Sequence, residues 1–166
     1  MPQNQNLKFK KEFFFLIKFF VIFAVLQFLI LVLPLAPLQE FIAGGEAGAL
    51  GMESHGNTIF WDSQRFEIKN NCTGLVSGAI LAAVIFSLKK PSFKKKFLIA
   101  ITGGIGLFLL NLPRIWIVLA IAKSFGAGLA ETLHEITWIT TALLVLLIWY
   151  IATKKIAGIK NFSELI

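Results

Sequence analysis

The sequence predicts an all-α, polytopic integral membrane protein with about four transmembrane helices and a small extracytoplasmic segment. Of its 166 residues, 57% are hydrophobic and 15% are charged, and the mean hydropathy is +0.78. A soluble domain is about half apolar and about a quarter charged, so the bilayer is the predicted solvent of this chain. Four apolar runs and three lysine clusters indicate the same class.

Each apolar run has a length close to that of a membrane crossing, which takes about 20 apolar residues, with a range of about 17 to 25. The runs cover approximately residues 13–35, 72–88, 97–122 and 133–151, within a single membrane-embedded domain of residues 1–166. The second run is at the short limit. Pro34 and Pro37 are expected to end the first helix. That first run is longer than the apolar core of a signal peptide, so we interpret it as an uncleaved anchor.

Lysine residues orient the predicted spans. They cluster before the first span, between the second and third spans, and after the fourth: Lys8, Lys10 and Lys11; Lys89, Lys90, Lys94, Lys95 and Lys96; Lys154, Lys155 and Lys160. Segment 38–71 instead holds five acidic residues and two basic ones, Arg65 and Lys69. The positive-inside rule then predicts a protein of the cell (inner or plasma) membrane with both termini in the cytoplasm and segment 38–71 outside.

The net charge of +7 points to lipid rather than to nucleic acid. The lysines lie beside apolar runs, where they would meet the headgroups of membrane lipids. No mixed aromatic and basic surface is apparent, so nucleic acid is not an expected partner.

The outer segment contains two short β-like runs, Asn57–Trp61 and Arg65–Lys69, on either side of a polar turn at residues 62–64. This pattern predicts a small β-hairpin. The hairpin would lead the chain directly into Cys72.

Cys72 is the only cysteine of the chain and lies where the outer segment enters the second span. A single cysteine excludes an intramolecular disulfide, and no Cys/His spacing indicates a zinc or haem site, so no cofactor is expected. A helix N-terminus favours negative charge, and the thiolate is the nucleophilic form of cysteine. Gly74 would allow another backbone to approach. Cys72 is therefore either a nucleophile supported by Asn71 or a small apolar filler residue.

Arg114 is the most costly residue to place in a membrane, at about 2.5 to 3.5 kcal/mol for a mid-bilayer position on insertion scales. It follows Lys96 by 18 residues, or about 27 Å, which places it near the outer edge of a core about 30 Å thick. Asn111 lies on the same helix face, and Pro113 is expected to break the helix. Arg114 could stabilise an oxyanion or hold a carboxylate, or it could simply reach the headgroups.

His134 is predicted to open the fourth span from the outside. Because histidine titrates near neutral pH, His134 could take a proton from Cys72 and return it to a leaving amine. Glu131, on the same face, is a candidate to orient the ring, and Trp138 could exclude water. The alternative is an interfacial histidine beside an aromatic-belt tryptophan. His55 in the outer segment is a competing base.

Together these placements predict that Cys72, Arg114 and His134 share one outward-facing cleft between the second, third and fourth spans. The motifs resemble the exosortase/archaeosortase family in a compact form. Asn-Cys-Thr-Gly stands at a helix start, Asn-Leu-Pro-Arg-Ile follows late in the next span, and a histidine opens the last span. The resemblance covers roughly Asn57 to Tyr150.

The resemblance implies a membrane cysteine transpeptidase or peptidase with Cys72, Arg114 and His134 as its catalytic residues. Its partners would be exported proteins with a C-terminal motif, a transmembrane helix and a basic tail. An acyl-enzyme on the cysteine would then be resolved by an acceptor such as a lipid or glycolipid.

Two other functions compete with this interpretation. The chain could be a small non-enzymatic membrane subunit or assembly factor in which Arg114 pairs with a partner helix. It could also be a transporter fragment that uses Arg114 to bind an anion, although the predicted spans contain no inverted repeat.

Overall fold

A computed structural model describes the backbone of residues 2–157 and the side chains of residues 10–156. In chain order, the elements are α1 (Pro2–Val32), α2 (Ala36–Leu50), β1 (Glu53–His55), β2 (Thr58–Trp61), β3 (Gln64–Glu67), a 3-10 helix at Asn70–Thr73, α3 (Leu75–Ser87), α4 (Phe93–Phe125) and α5 (Ala127–Ala157). We call the 3-10 helix the Cys72 turn. The fold is that of an all-α polytopic membrane protein with a small sheet, which confirms the predicted fold class.

Three of the described helices are long and apolar enough to cross a membrane: Lys10–Val32, Phe93–Phe125 and Ala127–Ile156. The second predicted span corresponds to α3, whose 13 residues reach only about 20 Å. The predicted span over residues 72–88 therefore began too early, because residues 70–73 form the Cys72 turn. The α4 and α5 helices also extend beyond their predicted ranges of 97–122 and 133–151.

The short helix α3 packs against α1, α4 and α5. Leu81 and Ile85 of α3 are buried with Ile99 of α4 in an apolar cluster. At Gly103 of α4, an added Cβ would lie 2.5 Å from Leu81 Cδ2 and 3.3 Å from an Ile148 methyl carbon of α5. Glycine fits here because even a methyl group would displace the side chain of Leu81, which is fully buried.

The helix α2 was not predicted; the sequence suggested only a hairpin in segment 38–71. Pro37 lies in the first turn of α2, where proline is tolerated, and Gly51 ends the helix with a φ of 63°. Ile42 and Ala43 of α2 are buried in a cluster that also contains Ile115 of α4. This tertiary packing explains why a glycine-rich stretch is helical despite its weak helix propensity.

The predicted hairpin is present as β2 and β3, and β1 extends it to a three-stranded antiparallel sheet in the order β1-β2-β3. The hairpin register pairs Thr58 with Glu67 and Trp61 with Gln64. The Nζ of Lys123, near the end of α4, lies 4.2 Å from the centre of the Trp61 ring and donates to the carbonyl of Leu50 at 2.5 Å. These contacts hold α2 and the sheet against the second half of α4.

Candidate active site

A cavity of about 810 Å³ lies between the sheet, the Cys72 turn, α4 and α5. Its wall includes Cys72, Arg114, Glu131 and His134, together with residues 65–69 of β3 and the following chain. Cys72, Arg114 and His134 are each partly buried. Three residues that are far apart in the sequence therefore share one cavity, but its walls are the sheet, the turn, α4 and α5 rather than α3.

The main chain of Cys72 is held on both sides. Its N–H donates to the carbonyl of Lys69 at 2.8 Å, and its carbonyl accepts from Nδ2 of Asn111 at 2.6 Å. Cys72 was expected to start the helix, but Gly74 separates it from the first residue of α3, Leu75. The thiol therefore belongs to a tight turn that is anchored to α4.

Gly74 is what allows α4 to come so close. It has a φ of 81°, which L-residues rarely adopt, and an added Cβ would lie 3.1 Å from the Cβ of Asn111. Asn111 is only 5% exposed. Its amide links two parts of the site, since Nδ2 bonds to Cys72 and Oδ1 accepts from an Nη1 of Arg114 at 3.1 Å.

The asparagine that anchors the Cys72 turn is Asn70 rather than Asn71. The Asn70 Nδ2 donates to the carbonyl of Ile30 in α1 at 2.8 Å, and its Oδ1 accepts from Gln39 of α2 at 2.6 Å. Asn71 is exposed and does not line the cavity. Of two consecutive asparagines only one points inward, and the sequence contains no signal that says which.

The guanidinium of Arg114 is held by neighbours on two helices, and one of its nitrogens makes no hydrogen bond within residues 10–156. Its Nε donates to Oγ1 of Thr137 at 3.0 Å, and that hydroxyl donates to the carbonyl of His134 at 2.8 Å. The Arg114 Cζ lies 5.5 Å from the centre of the Trp138 ring. The remaining nitrogen, Nη2, is buried and has no hydrogen-bond partner among the side chains and backbone of residues 10–156.

The expected break at Pro113 was wrong, because α4 continues from Phe93 to Phe125 without interruption. Pro113 is exposed, so its ring lies away from the buried Asn111. Prolines are tolerated inside transmembrane helices when neighbouring groups or local adjustments satisfy the freed carbonyl.

The His134 ring is oriented by Trp138. The Trp138 indole N–H donates to Nε2 of His134 at 3.1 Å, so a neutral ring carries its proton on Nδ1. Glu131 lines the cavity but, within residues 10–156, makes no hydrogen bond to the ring. His134 is also not the opening residue of the helix, since α5 begins at Ala127.

The competing base, His55, is placed elsewhere. It lies in β1, where its ring centre is 5.7 Å from that of Phe60, and it does not line the cavity. Among the described residues, no three His, Cys, Asp or Glu side chains cluster closely enough to hold a metal ion.

The long apolar helices and this cavity define a multi-pass membrane protein in which a thiol, a guanidinium and an imidazole line one site. A family model described as transmembrane exosortase matches residues 7–151, and the chain belongs to this family. Membership of the family indicates a membrane transpeptidase. No curated protein and no solved structure matches the chain.

Proposed function

We propose that this protein is a cysteine transpeptidase or peptidase that cleaves the C-terminal sorting signals from exported proteins and transfers the cleaved proteins to an acceptor. The observation that supports this proposal best is the shared cavity of Cys72, Arg114 and His134. The family match supports the reaction class.

In the proposed mechanism, the Cys72 sulfur attacks the carbonyl carbon of a substrate peptide bond. The His134 imidazole takes the thiol proton and passes it to the leaving amine as the C–N bond breaks. A thioester then joins Cys72 to the carbonyl side of the substrate. An acceptor hydroxyl or amine attacks this thioester, loses its proton to His134, and regenerates the thiol.

Arg114 is the proposed oxyanion donor. Its Nη2 is buried and unpaired among residues 10–156, while its Nε and Nη1 are fixed by Thr137 and Asn111. A donor that is already oriented stabilises developing charge without reorganising, and loss of one such donor typically costs about 10² to 10³ in rate.

His134 reaches its reactive state by exchanging partners. The Nε2 lone pair that would accept the thiol proton now accepts from Trp138 at 3.1 Å. In the reacting state the thiol takes the place of the indole N–H at this atom. Trp138 then remains beside Arg114 and limits the access of water to Cys72 and His134.

The proposed orientation places both termini in the cytoplasm and the cavity outside the cell membrane. The support is the positive-inside rule applied to Lys10 and Lys11, to the lysines of residues 89–96, and to Lys154 and Lys155. Lys160 lies outside the described residues. With α4 entering at Lys96, Arg114 comes after about 27 Å of helix and reaches the outer side.

The proposed substrates carry a short C-terminal motif, a transmembrane helix and a basic tail. Such a protein would be held in the membrane beside α4 and α5, with the bond to be cleaved near the cavity. The acceptor would be a lipid or glycolipid, which reaches the same membrane face by lateral diffusion. The alternative of a non-enzymatic subunit predicts an Arg114 that faces a partner helix, whereas its guanidinium contacts Asn111, Thr137 and Trp138 of the same chain.

The experiment is a processing assay in cells that express the full chain. The reporter is an exported protein fused to the C-terminal sorting segment of a protein encoded by the same genome, followed on immunoblots. We expect cleavage with the wild type and none with Cys72→Ala. Ser63→Ala, which changes an exposed residue of the β2–β3 turn, is the control.

Insertion of each variant into the membrane is measured in parallel, so that a loss of protein is not mistaken for a loss of chemistry. An acyl-enzyme that is released by hydroxylamine in the wild type, and is absent in Cys72→Ala, would identify the thioester. Unchanged processing in Cys72→Ala would refute Cys72 as the nucleophile.

A further inference from the structure

The strand β3 is an edge strand that lies directly beside the candidate site. Among residues 2–157 the sheet order is β1-β2-β3, so β3 has a neighbouring strand on one side only. Edge strands expose a row of N–H and C=O groups that can pair with another extended chain. In native proteins such an edge is normally covered, protected by charged residues or bulges, or paired with another strand.

The register of the hairpin shows which backbone groups of β3 are free. The N–H of Ile68 donates to the carbonyl of Asn57 at 2.8 Å. Hydrogen-bonded pairs alternate along an antiparallel ladder, so Phe66 and Gln64 also face β2 while Arg65 and Glu67 face away. Within residues 10–156, neither Arg65 nor Glu67 makes a backbone hydrogen bond to an element outside the sheet.

The cavity extends along this free edge. Side chains alternate between the two faces of a strand, so Arg65 and Glu67 lie on one face and Phe66 and Ile68 on the other. All four line the cavity. Thr58 and Phe60 of β2 also line it, and they pair across the sheet with Glu67 and Arg65, so the cavity covers this face of the sheet and reaches its β3 edge.

The opposite wall completes a slot for one extended chain. It is formed by α4 and α5, including Val118, Ala127 and Ala130. Residues 65–69 cover about 16 Å along the strand direction at about 3.3 Å per residue. Just beyond Lys69, the chain turns into Cys72, whose N–H bonds to the Lys69 carbonyl.

We propose that an extended segment of the polypeptide substrate adds to β3 as a parallel fourth strand and is led by it to Cys72. The unpaired N–H and C=O groups of Arg65 and Glu67 provide the pairing, which is the β-augmentation mode of peptide recognition. The substrate strand would run parallel to β3. The strand β3 runs towards the Cys72 turn and α3, and a substrate segment that leads into its own transmembrane helix runs in the same direction. This proposal rests on the proposed function.

The first test separates the backbone of Glu67 from its side chain. Glu67→Pro removes the outward N–H but leaves the ladder to β2 intact, because proline is accepted at edge positions whose N–H faces away. We expect reporter processing to fall at least tenfold. Glu67→Ala retains the N–H, so we expect it to process the reporter at least fivefold faster than Glu67→Pro. Equal processing by the two variants would overturn the proposal.

The second test does not depend on tolerance of proline. Because Cys72 is the only cysteine, Arg65→Cys or Glu67→Cys in the Cys72→Ala background gives a single-cysteine chain. Single cysteines are then placed at each of the ten residues before the apolar helix of the reporter. Disulfides formed under mild oxidation are scored in membranes.

We expect crosslinks at alternate reporter positions, with the maximum for Glu67→Cys two residues further towards the reporter helix than that for Arg65→Cys. No crosslinks, an absence of alternation, or the reverse order would overturn the pairing. The proposed function fails on a different measurement, namely wild-type processing that does not depend on Cys72.

Discussion

The two halves of α4 perform different tasks. In its first half, around Gly103, the helix meets α3 and α5 through apolar side chains in close contact. In its second half, Asn111 and Arg114 join the Cys72 turn and α5 through hydrogen bonds. Assembly of the helices and the candidate chemistry are thus separated along one helix by about 16 Å. Changes in the first half should affect folding, and changes in the second half should affect reaction.

The largest effect is expected for Arg114→Lys. Lysine retains the charge but lacks the forked guanidinium that donates to Thr137 and Asn111. It also lacks Nη2, which has no hydrogen-bond partner among residues 10–156. We expect reporter processing to fall by about 10² to 10³ with normal membrane insertion. Lys95→Arg, an exposed cation swap in the same helix, should process normally. Near-normal processing by Arg114→Lys would separate Arg114 from the chemistry.

Gly103→Ala tests the other half of the comparison. Its Cβ would meet Leu81 Cδ2 at 2.5 Å, and such overpacking typically costs about 1 to 3 kcal/mol. Gly106→Ala, where the described structure has no atom within 4 Å of an added Cβ, should be neutral or slightly stabilising. Thermal unfolding in detergent measures both. If the two variants melt alike, close packing at Gly103 is not required.

Thr137→Val should reduce processing about tenfold, or about 1.4 kcal/mol in activation free energy. It removes the hydroxyl that accepts from Arg114 and donates to the carbonyl of His134. Thr137→Ser retains the hydroxyl and should restore most of the rate. Thr140→Val changes an exposed hydroxyl that bonds only within α5 and serves as the control. A tenfold loss in Thr140→Val as well would attribute the effect to the helix rather than to Arg114.

The smallest effect concerns Glu46, a buried carboxyl in α2. Burial raises the pKa of Glu46, so the folded state holds its proton to a higher pH than the unfolded state. Its contribution to stability therefore falls as the pH rises from the ordinary carboxyl range through the raised pKa.

Glu46→Gln should consequently increase the melting temperature at pH 8 by on the order of 2 °C and have less effect at pH 4. Glu40→Gln, at an exposed position of the same helix, should change neither value. An equal shift of the melting temperature of Glu46→Gln at both pH values would contradict the raised pKa of Glu46.

The membrane class and three long spans could be predicted because they depend on composition and on runs of apolar residues. The shared cavity of Cys72, Arg114 and His134 could also be anticipated, since span length and lysine placement predict a similar depth for the three residues. Their catalytic roles stay predictions until the processing assay is done.

The contacts that hold the site could not be predicted. The helix α2 depends on tertiary burial of Ile42 and Ala43, which overrides its glycine content. The orienting partner of His134 could have been either Glu131 or Trp138, because both lie about one turn from it. The choice depends on side-chain rotamers, which helical spacing does not determine.

The length of α3 has a consequence for how a bilayer meets this protein. The Cys72 turn is level with Asn111, which precedes the end of α4 by 14 residues, or about 21 Å. With the proposed entry of α4 at Lys96, Asn111 lies about 22 Å into a core about 30 Å thick. Irregular backbone inside the core is tolerated only where protein covers it or water reaches it. Here α1, α2 and the sheet surround the turn, and the cavity gives access to it. The hydrophobic mismatch of a 13-residue helix is thus absorbed by protein rather than by lipid, and the thiol lies recessed beside the middle of α4.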